Sequence, residues 1–431
     1  MSGKNTGSGR WLVAIMGTLL QLCLGTVYAW SFFQKPIMAS FGWTNSQTAW
    51  TFSLAICFLG LAAAWGGVNL PKYGPRKLAI AGGVLFALGY FIGAVAFALK
   101  SLPLLWIGYG VIGGSGLGLG YVTPVATAAK WFPDKKGLVT GMVIMGFGFG
   151  ALLMSKLIAP VFMAITGDNL VLVFVYIGIL MLVLTLPAAS LLRNPPAGFL
   201  PPGYTPPASE SAQQSAQESL TARQSLASGK FLLMWLVFFL NITSGIMFIG
   251  FQSPMMQDLV KAANPGMTAA TLAAAGATLI AFSSIFNGLG RFLWGGISDR
   301  IGRTLTFRLI LGTQILVFVA LLFVKAPLLF GLLVCYVLLC YGGGFGTMPS
   351  YVLNIFGPKL MPVVYGTILT AWSAAGLVGP QIVAVIKDKS PAQAAGYTFV
   401  IGAVLLSIGF LVTFLLNDTR LATVAENKVK T

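Results

Sequence analysis

A chain of 431 residues that is 57% hydrophobic and only 8% charged, with a mean hydropathy of +0.88, is not a soluble domain; an ordinary one carries about 25% charged residues. Its 26 Lys and Arg against 9 Asp and Glu give a formal charge of +17, and it contains no histidine. That removes the commonest metal ligand and the usual proton shuttle. In a soluble protein such a charge would suggest nucleic acid; here its distribution among the loops argues against that partner.

The apolar residues fall in runs of roughly 20 to 30, the length that crosses a hydrocarbon core of about 30 Å. Twelve are expected to be helices: 11–33, 46–69, 78–99, 103–127, 137–164, 169–192, 231–256, 268–296, 304–324, 327–353, 363–386 and 394–417. The first is too long for a signal-peptide core and has no A-x-A-like cleavage site, so it is expected to stay in the mature protein. Between Asn194 and Gly229 the composition changes to Pro-Pro repeats and then a Ser/Gln/Ala/Glu stretch, which reads as a solvated linker. The expected organisation is therefore an N-terminal six-helix bundle (1–193), a cytoplasmic linker (194–229), a second six-helix bundle (230–417) and a cytoplasmic tail (418–431). The fold class is an all-α membrane protein with twelve transmembrane helices in two pseudo-symmetric bundles.

With this spacing, 18 of the 26 cations lie on the side of the termini and linker and six on the other, with Lys156 and Arg291 inside spans. The positive-inside rule then puts both termini in the cytoplasm, in a plasma or inner membrane. Cys23, Cys57, Cys335 and Cys340 fall within spans and read as small apolar core residues.

The two halves repeat each other. Trp65-Gly66-Gly67 followed by Lys72-Tyr73-Gly74-Pro75-Arg76 is matched by Trp294-Gly295-Gly296 followed by Asp299-Arg300-Ile301-Gly302-Arg303. Gly118-Leu119-Gly120-Tyr121 leading to Phe132 is matched by Gly342-Gly343-Gly344-Phe345 leading to Phe356, at an offset of 224. Parallel duplication of a six-helix unit points to two halves rocking about a central site.

Arg291 is the only charged side chain in 271–294. A cation at that depth costs at least about 2.5–3.5 kcal/mol unless it meets a water-filled cavity or an anion. Asn287 shares its helix face at i, i+4, and Gly288 and Gly290 would let another helix approach. Arg291 would bind carboxylate as a planar fork of donors; the alternative is an arginine snorkelling to the interface. Asn287 would orient the guanidinium or bond a substrate hydroxyl, or be a packing contact between helices. Lys156, nearer the other end of its span, reads as a snorkelling lysine or a second anion attractant.

The D-R-x-G-R loop at Asp299–Arg303, with its degenerate copy at Lys72–Arg76, resembles the signature loop of the major facilitator superfamily. Lys130-Trp131-Phe132-Pro133-Asp134-Lys135-Lys136-Gly137-Leu138, with Tyr28-Ala29-Trp30 and Asn287–Arg291, is similar to the oxalate/formate antiporter branch, itself similar to the monocarboxylate transporters. The resemblance implies a major facilitator fold, a gating loop at Asp299, Arg300 and Arg303, and a substrate role for Arg291. It further implies that Tyr28, Tyr121, Tyr341 and Phe345 close over the substrate. The N-terminal loop departs from the pattern: Leu70 or Pro71 stands where the carboxylate belongs. In span 11 the antiporter branch has a second cation; aligned through Tyr365-Gly366, that place is Trp372 here. One buried cation matches one carboxylate, and an unpaired second charge costs several kcal/mol.

The expected function is proton-coupled symport of a small monocarboxylate such as lactate, pyruvate, acetate or formate, by a chain functional as a monomer. Electroneutral exchange, an oxalate/formate-type antiporter, and a non-transporting sensor or channel are the alternatives. None of the nine carboxylates lies at a span centre, so the proton would be shared between substrate, water and tyrosine. No metal, organic cofactor or enzymatic site is expected, for want of a base partner to any Ser or Cys.

Overall fold

The computed structural model describes residues 6–196, 198–201, 204 and 221–421; most of the linker expected at 194–229, and the tail beyond residue 421, lie outside the described residues. The chain forms helices α1 (Gly9–Phe41), α2 (45–73), α3 (75–98), α4 (Leu102–Trp131), α5 (Leu138–Thr166), α6 (Leu170–Ser190), α7 (Gly229–Ala263), α8 (Ala269–Ile301), α9 (Arg303–Leu321), α10 (Pro327–Gly357), α11 (Val363–Lys389) and α12 (Pro391–Leu415), each long and apolar enough to cross a bilayer. Each of the twelve expected runs falls on one of these helices, overrunning its ends by at most three residues, as 304–324 does on Arg303–Leu321.

Helix starts are set by side-chain caps, which satisfy otherwise orphan backbone N–H groups. Thr44 and Gln47 form a reciprocal capping box at α2, and Asn169, Ser228 and Thr268 cap α6, α7 and α8. The two signature loops share a backbone device. Gly74 ends α2 at φ 75°, ψ 164° and Gly302 ends α8 at φ 90°, ψ 157°, a region that L side chains avoid and glycine enters freely. The internal repeat is thus written in the main chain as well as in the sequence.

Several helices extend past the apolar runs that announced them. The first run stops at residue 33, yet α1 continues through Gln34, Lys35 and Pro36 to Phe41. Gln34 is buried, and Lys35 pairs with Asp258 of α7, so tertiary partners replace hydrophobicity there. Within α1 the turn Gly25–Ala29 tightens to 3-10 geometry, while α4 at Trp106–Gly113 and α5 at Met154–Ile158 widen to π geometry. Such irregular turns inside helices often accompany functional sites.

α1–α6 and α7–α12 form two six-helix bundles. They meet where α5 crosses α8 and where α2 runs beside α11. Gly148 and Gly288 mark the first crossing: a Cβ on Gly148 would fall against the Gly288 backbone. On the face away from the linker, Lys35 and Lys387 both bind Asp258, at 2.8 and 2.6 Å. Asp388 of α11 accepts from the backbone N–H groups of Asn45 and Ser46 at 3.0 and 2.9 Å, and from both side chains. A carboxylate of one bundle thereby caps a helix of the other. On the linker face Arg10 pairs with Asp134, and Asp418 accepts from the backbone N–H groups of Arg303 and Thr304; each of these ties lies within one bundle.

Candidate anion-binding site

Arg291 lies where the two bundles meet, with 1% of its surface exposed. That settles the choice between burial and snorkelling: the guanidinium stays inside. Two glycines of α10 fix its height, because the carbonyls of Asn287 and Arg291 rest directly on Gly342 and Gly346, where a Cβ would overlap them. The Gly342–Gly346 stretch is therefore a packing bed for the functional turn of α8, and Gly290 returns the contact against the Leu339 carbonyl.

The guanidinium is incompletely satisfied. Nε donates to Asn287 Oδ1 at 3.4 Å, and Nη1 donates to the Tyr121 hydroxyl and to the Ile144 carbonyl, both at 3.3 Å. All three bonds are longer than the 2.7–2.9 Å of charge-assisted pairs. Nη2 has no partner. The cation also lies 4.9 Å from the Phe345 ring centroid and 5.5 Å from that of Phe147, within the range where ring faces attract cations. Among the described residues no carboxylate is near it, since every Asp and Glu there sits in a loop or at a helix end.

Aromatic rings from both bundles enclose the cation. Tyr28 and Tyr341 share a 2.6 Å hydrogen bond between their hydroxyls across the interface. Trp372 lies at the centre of the cage, with ring centroids 4.6 Å from Phe345, 5.2 Å from Tyr121, 5.8 Å from Phe147 and 6.3 Å from Tyr28. Its indole N–H and the Tyr365 hydroxyl are buried without partners. Gln21 steadies the wall by donating to the Tyr121 carbonyl at 2.8 Å. A buried unsatisfied donor costs about 1–3 kcal/mol, so a cage holding three of them, one cationic, is built to receive an acceptor. Such a lining can hold a small anion with an apolar part; among the described residues it contains no paired acid and base.

The major facilitator superfamily profile matches residues 14–380, spanning eleven of the twelve helices just described. The chain belongs to the major facilitator superfamily. It is 26% identical over 429 residues to the oxalate:formate antiporter of Oxalobacter formigenes, covering 96% of this chain and 94% of that protein. It is 27% identical over 460 residues to apicoplast pyruvate carrier 1 of Toxoplasma gondii, covering 85% and 82%. The crystal structure of a D-xylose-proton symporter superposes with a TM-score of 0.67 at 17% identity, over 94% of this chain and 97% of that one; this likeness concerns the fold. As a member of the superfamily the chain is a multi-pass membrane transporter.

Within this facilitator, the seven residues singled out as a site (Arg291, Asn287, Tyr121, Tyr341, Tyr28, Phe345 and Trp372) come together in one cage. The glycines before Tyr121 could be taken from the sequence as space for its ring, but their task is helix packing. Instead of making room for its ring, Gly116, Gly118 and Gly120 let α4 press on α3, α2 and α1 respectively. At the end of α8, Asp299 binds Arg303 at the start of α9, Arg303 also donates to the Ser298 hydroxyl, and Arg300 is exposed. Lys156 is exposed and donates to Thr278 at 2.6 Å, away from the cage. Sequence reasoning missed Phe147, Tyr365 and the Ile144 carbonyl. Phe147 had a signal in its setting, Gly146-Phe147-Gly148-Phe149-Gly150, where small residues bracket a ring that must sit at a crossing. Tyr365 precedes Trp372 by seven residues, two turns along one helix face.

Proposed function

We propose that this transporter carries a small monocarboxylate, such as pyruvate or L-lactate, together with a proton across a cell membrane by alternating access. The observation that carries this reading is a single cation in the cage, Arg291 with an unpartnered Nη2, and a tryptophan packed on the same Phe345 ring where a second cation would be needed for a dianion. A monoanion on Nη2 would neutralise Arg291, and the rings of Trp372, Phe147 and Phe345 would take its methyl or alkyl group. A dicarboxylate would bring a second charge into a wall of apolar carbon, at a cost of several kcal/mol. The proton would travel with the substrate, shared with water and the tyrosine hydroxyls, because the chain has no histidine and among the described residues no carboxylate lies at this depth. The excess of basic residues on the linker face supports cytoplasmic termini, and one chain holds a whole cage, which supports a monomer as the working unit.

Uptake of radiolabelled L-lactate and pyruvate into proteoliposomes, with and without an inward proton gradient, tests the proposal. Accumulation driven by the gradient, unaffected by excess oxalate and absent in Arg291→Ala, is the expected result. Uptake that requires internal anion and is blocked by oxalate would instead establish an antiporter. The name of the Oxalobacter relative favours that second reading; Trp372 speaks against it.

A further inference from the structure

The three unpartnered donors of the cage share an origin. Arg291 is on α8, and Tyr365 and Trp372 are on α11, so all three belong to the C-terminal bundle. The two tyrosine hydroxyls that the N-terminal bundle brings to the cage are already engaged: that of Tyr28 with Tyr341, and that of Tyr121 with Arg291. Tyr365 is 4% exposed and Trp372 fully buried. The Tyr365 hydroxyl lies beside that of Tyr121, and the Trp372 indole N–H beside the Tyr341 hydroxyl, without completing hydrogen bonds to them. Among the described residues Tyr365 has the only tyrosine hydroxyl that is sealed from solvent and unpartnered. Buried hydroxyls are nearly always bonded, and each exception calls for a reason.

We propose that the Tyr365 hydroxyl and the Trp372 indole N–H donate directly to the bound carboxylate alongside Arg291, so that the anion is held by the C-terminal bundle alone. This rests on the reading of the cage as a monocarboxylate site. A carboxylate offers about four lone-pair positions on two oxygens, enough for three donors, which a single guanidinium edge would leave partly unused. The N-terminal bundle then contributes closure: Tyr121 and Phe147 cover a ligand that they do not carry, and Tyr121 exchanges its bond from Arg291 for contact with the occupied site. Trp372 thus has two faces, a ring for the alkyl group and an N–H for the carboxylate.

A residue that is unsatisfied when empty and satisfied when loaded has a signature that a structural residue lacks. Removing its polar atom relieves the empty protein and weakens the loaded one. The test is thermal unfolding and calorimetric titration of the purified full chain with sodium acetate and sodium pyruvate, with sodium chloride as the ionic-strength control. For Tyr365→Phe the empty protein is expected to melt at the same or a higher temperature than wild type. Its dissociation constant for both acids is expected to rise about tenfold, which corresponds to about 1.4 kcal/mol, with a smaller ligand-induced melting shift to match. Trp372→Phe, which keeps a ring and loses the N–H, should behave in the same way, and Tyr90→Phe, a buried hydroxyl outside the cage, should leave affinity unchanged. Lower melting of empty Tyr365→Phe with unchanged affinity in both cage variants would overturn the proposal. Wild-type protein that neither acid stabilises beyond the chloride control would overturn it at its premise, the monocarboxylate reading itself.

Discussion

At the scale of single residues, the cage separates charge from shape. Arg291→Lys keeps the positive charge but replaces a planar fork with a compact ammonium. It should retain binding of pyruvate weakened by about 10- to 100-fold in titration, whereas Arg291→Ala should lose it altogether. Trp372→Lys should turn the preference around: a second cation opposite the first is expected to admit oxalate and lower pyruvate uptake, read as competition between the two in proteoliposomes. The sequence announced these two positions for a clear reason. A charge in an apolar run is conspicuous, and so is an indole where relatives keep a cation. Tyr365 and Phe147 were not conspicuous, because an aromatic residue in a hydrophobic helix reads the same whether it faces lipid, core or ligand. The Ile144 carbonyl could not be read at all, since a backbone acceptor has no letter.

At the scale of elements, the site depends on how closely α8 lies on α10. Gly290→Ala would place a Cβ against the Leu339 carbonyl, and Gly346→Ala would place one against the carbonyl of Arg291 itself. Backbone atoms cannot swing aside as side chains do, and overpacking of this kind costs about 1–3 kcal/mol or more. Both variants should therefore melt earlier than wild type, and Gly346→Ala should in addition lose pyruvate affinity, because it lifts the turn that aims the guanidinium. Helix number and order were legible in the hydropathy; helix ends were less so. α1 runs on to Phe41 because Gln34 and Lys35 find partners on other helices, and partners across a fold leave no trace in a local apolar pattern.

At the scale of the whole molecule, the bundles are tied on the face away from the linker by two carboxylates, Asp258 and Asp388. Asp388 is the stronger tie in kind, for it satisfies orphan N–H groups at the start of α2 and sits where the helix dipole favours a negative charge. Asp388→Asn should shift the population toward opening on that face. Spin labels at Lys100→Cys and Lys325→Cys, exposed on opposite bundles, in a background with the four native cysteines replaced, would report longer distances than in the parent. An unchanged distance distribution would mean that the Lys35–Asp258 pair holds the face closed without Asp388. The repeat itself was plain in the sequence. These ties were not, because Asp258 and Asp388 read only as charges near helix ends until both bundles are assembled.

The unneutralised guanidinium of Arg291 has an electrical consequence. Without a bound anion the protein holds one net positive charge deep in the membrane; a monoanion alone makes that region neutral, and the proton that travels with it restores the charge. A full elementary charge crossing the entire field is worth about 2.3 kcal/mol per 100 mV, and the empty form and the form loaded with both would feel the same fraction of that work. Voltage should thus hasten one crossing and slow the return by like amounts, so that a cell's membrane potential would set how often this machine turns over, and its substrate and proton gradients would set which way.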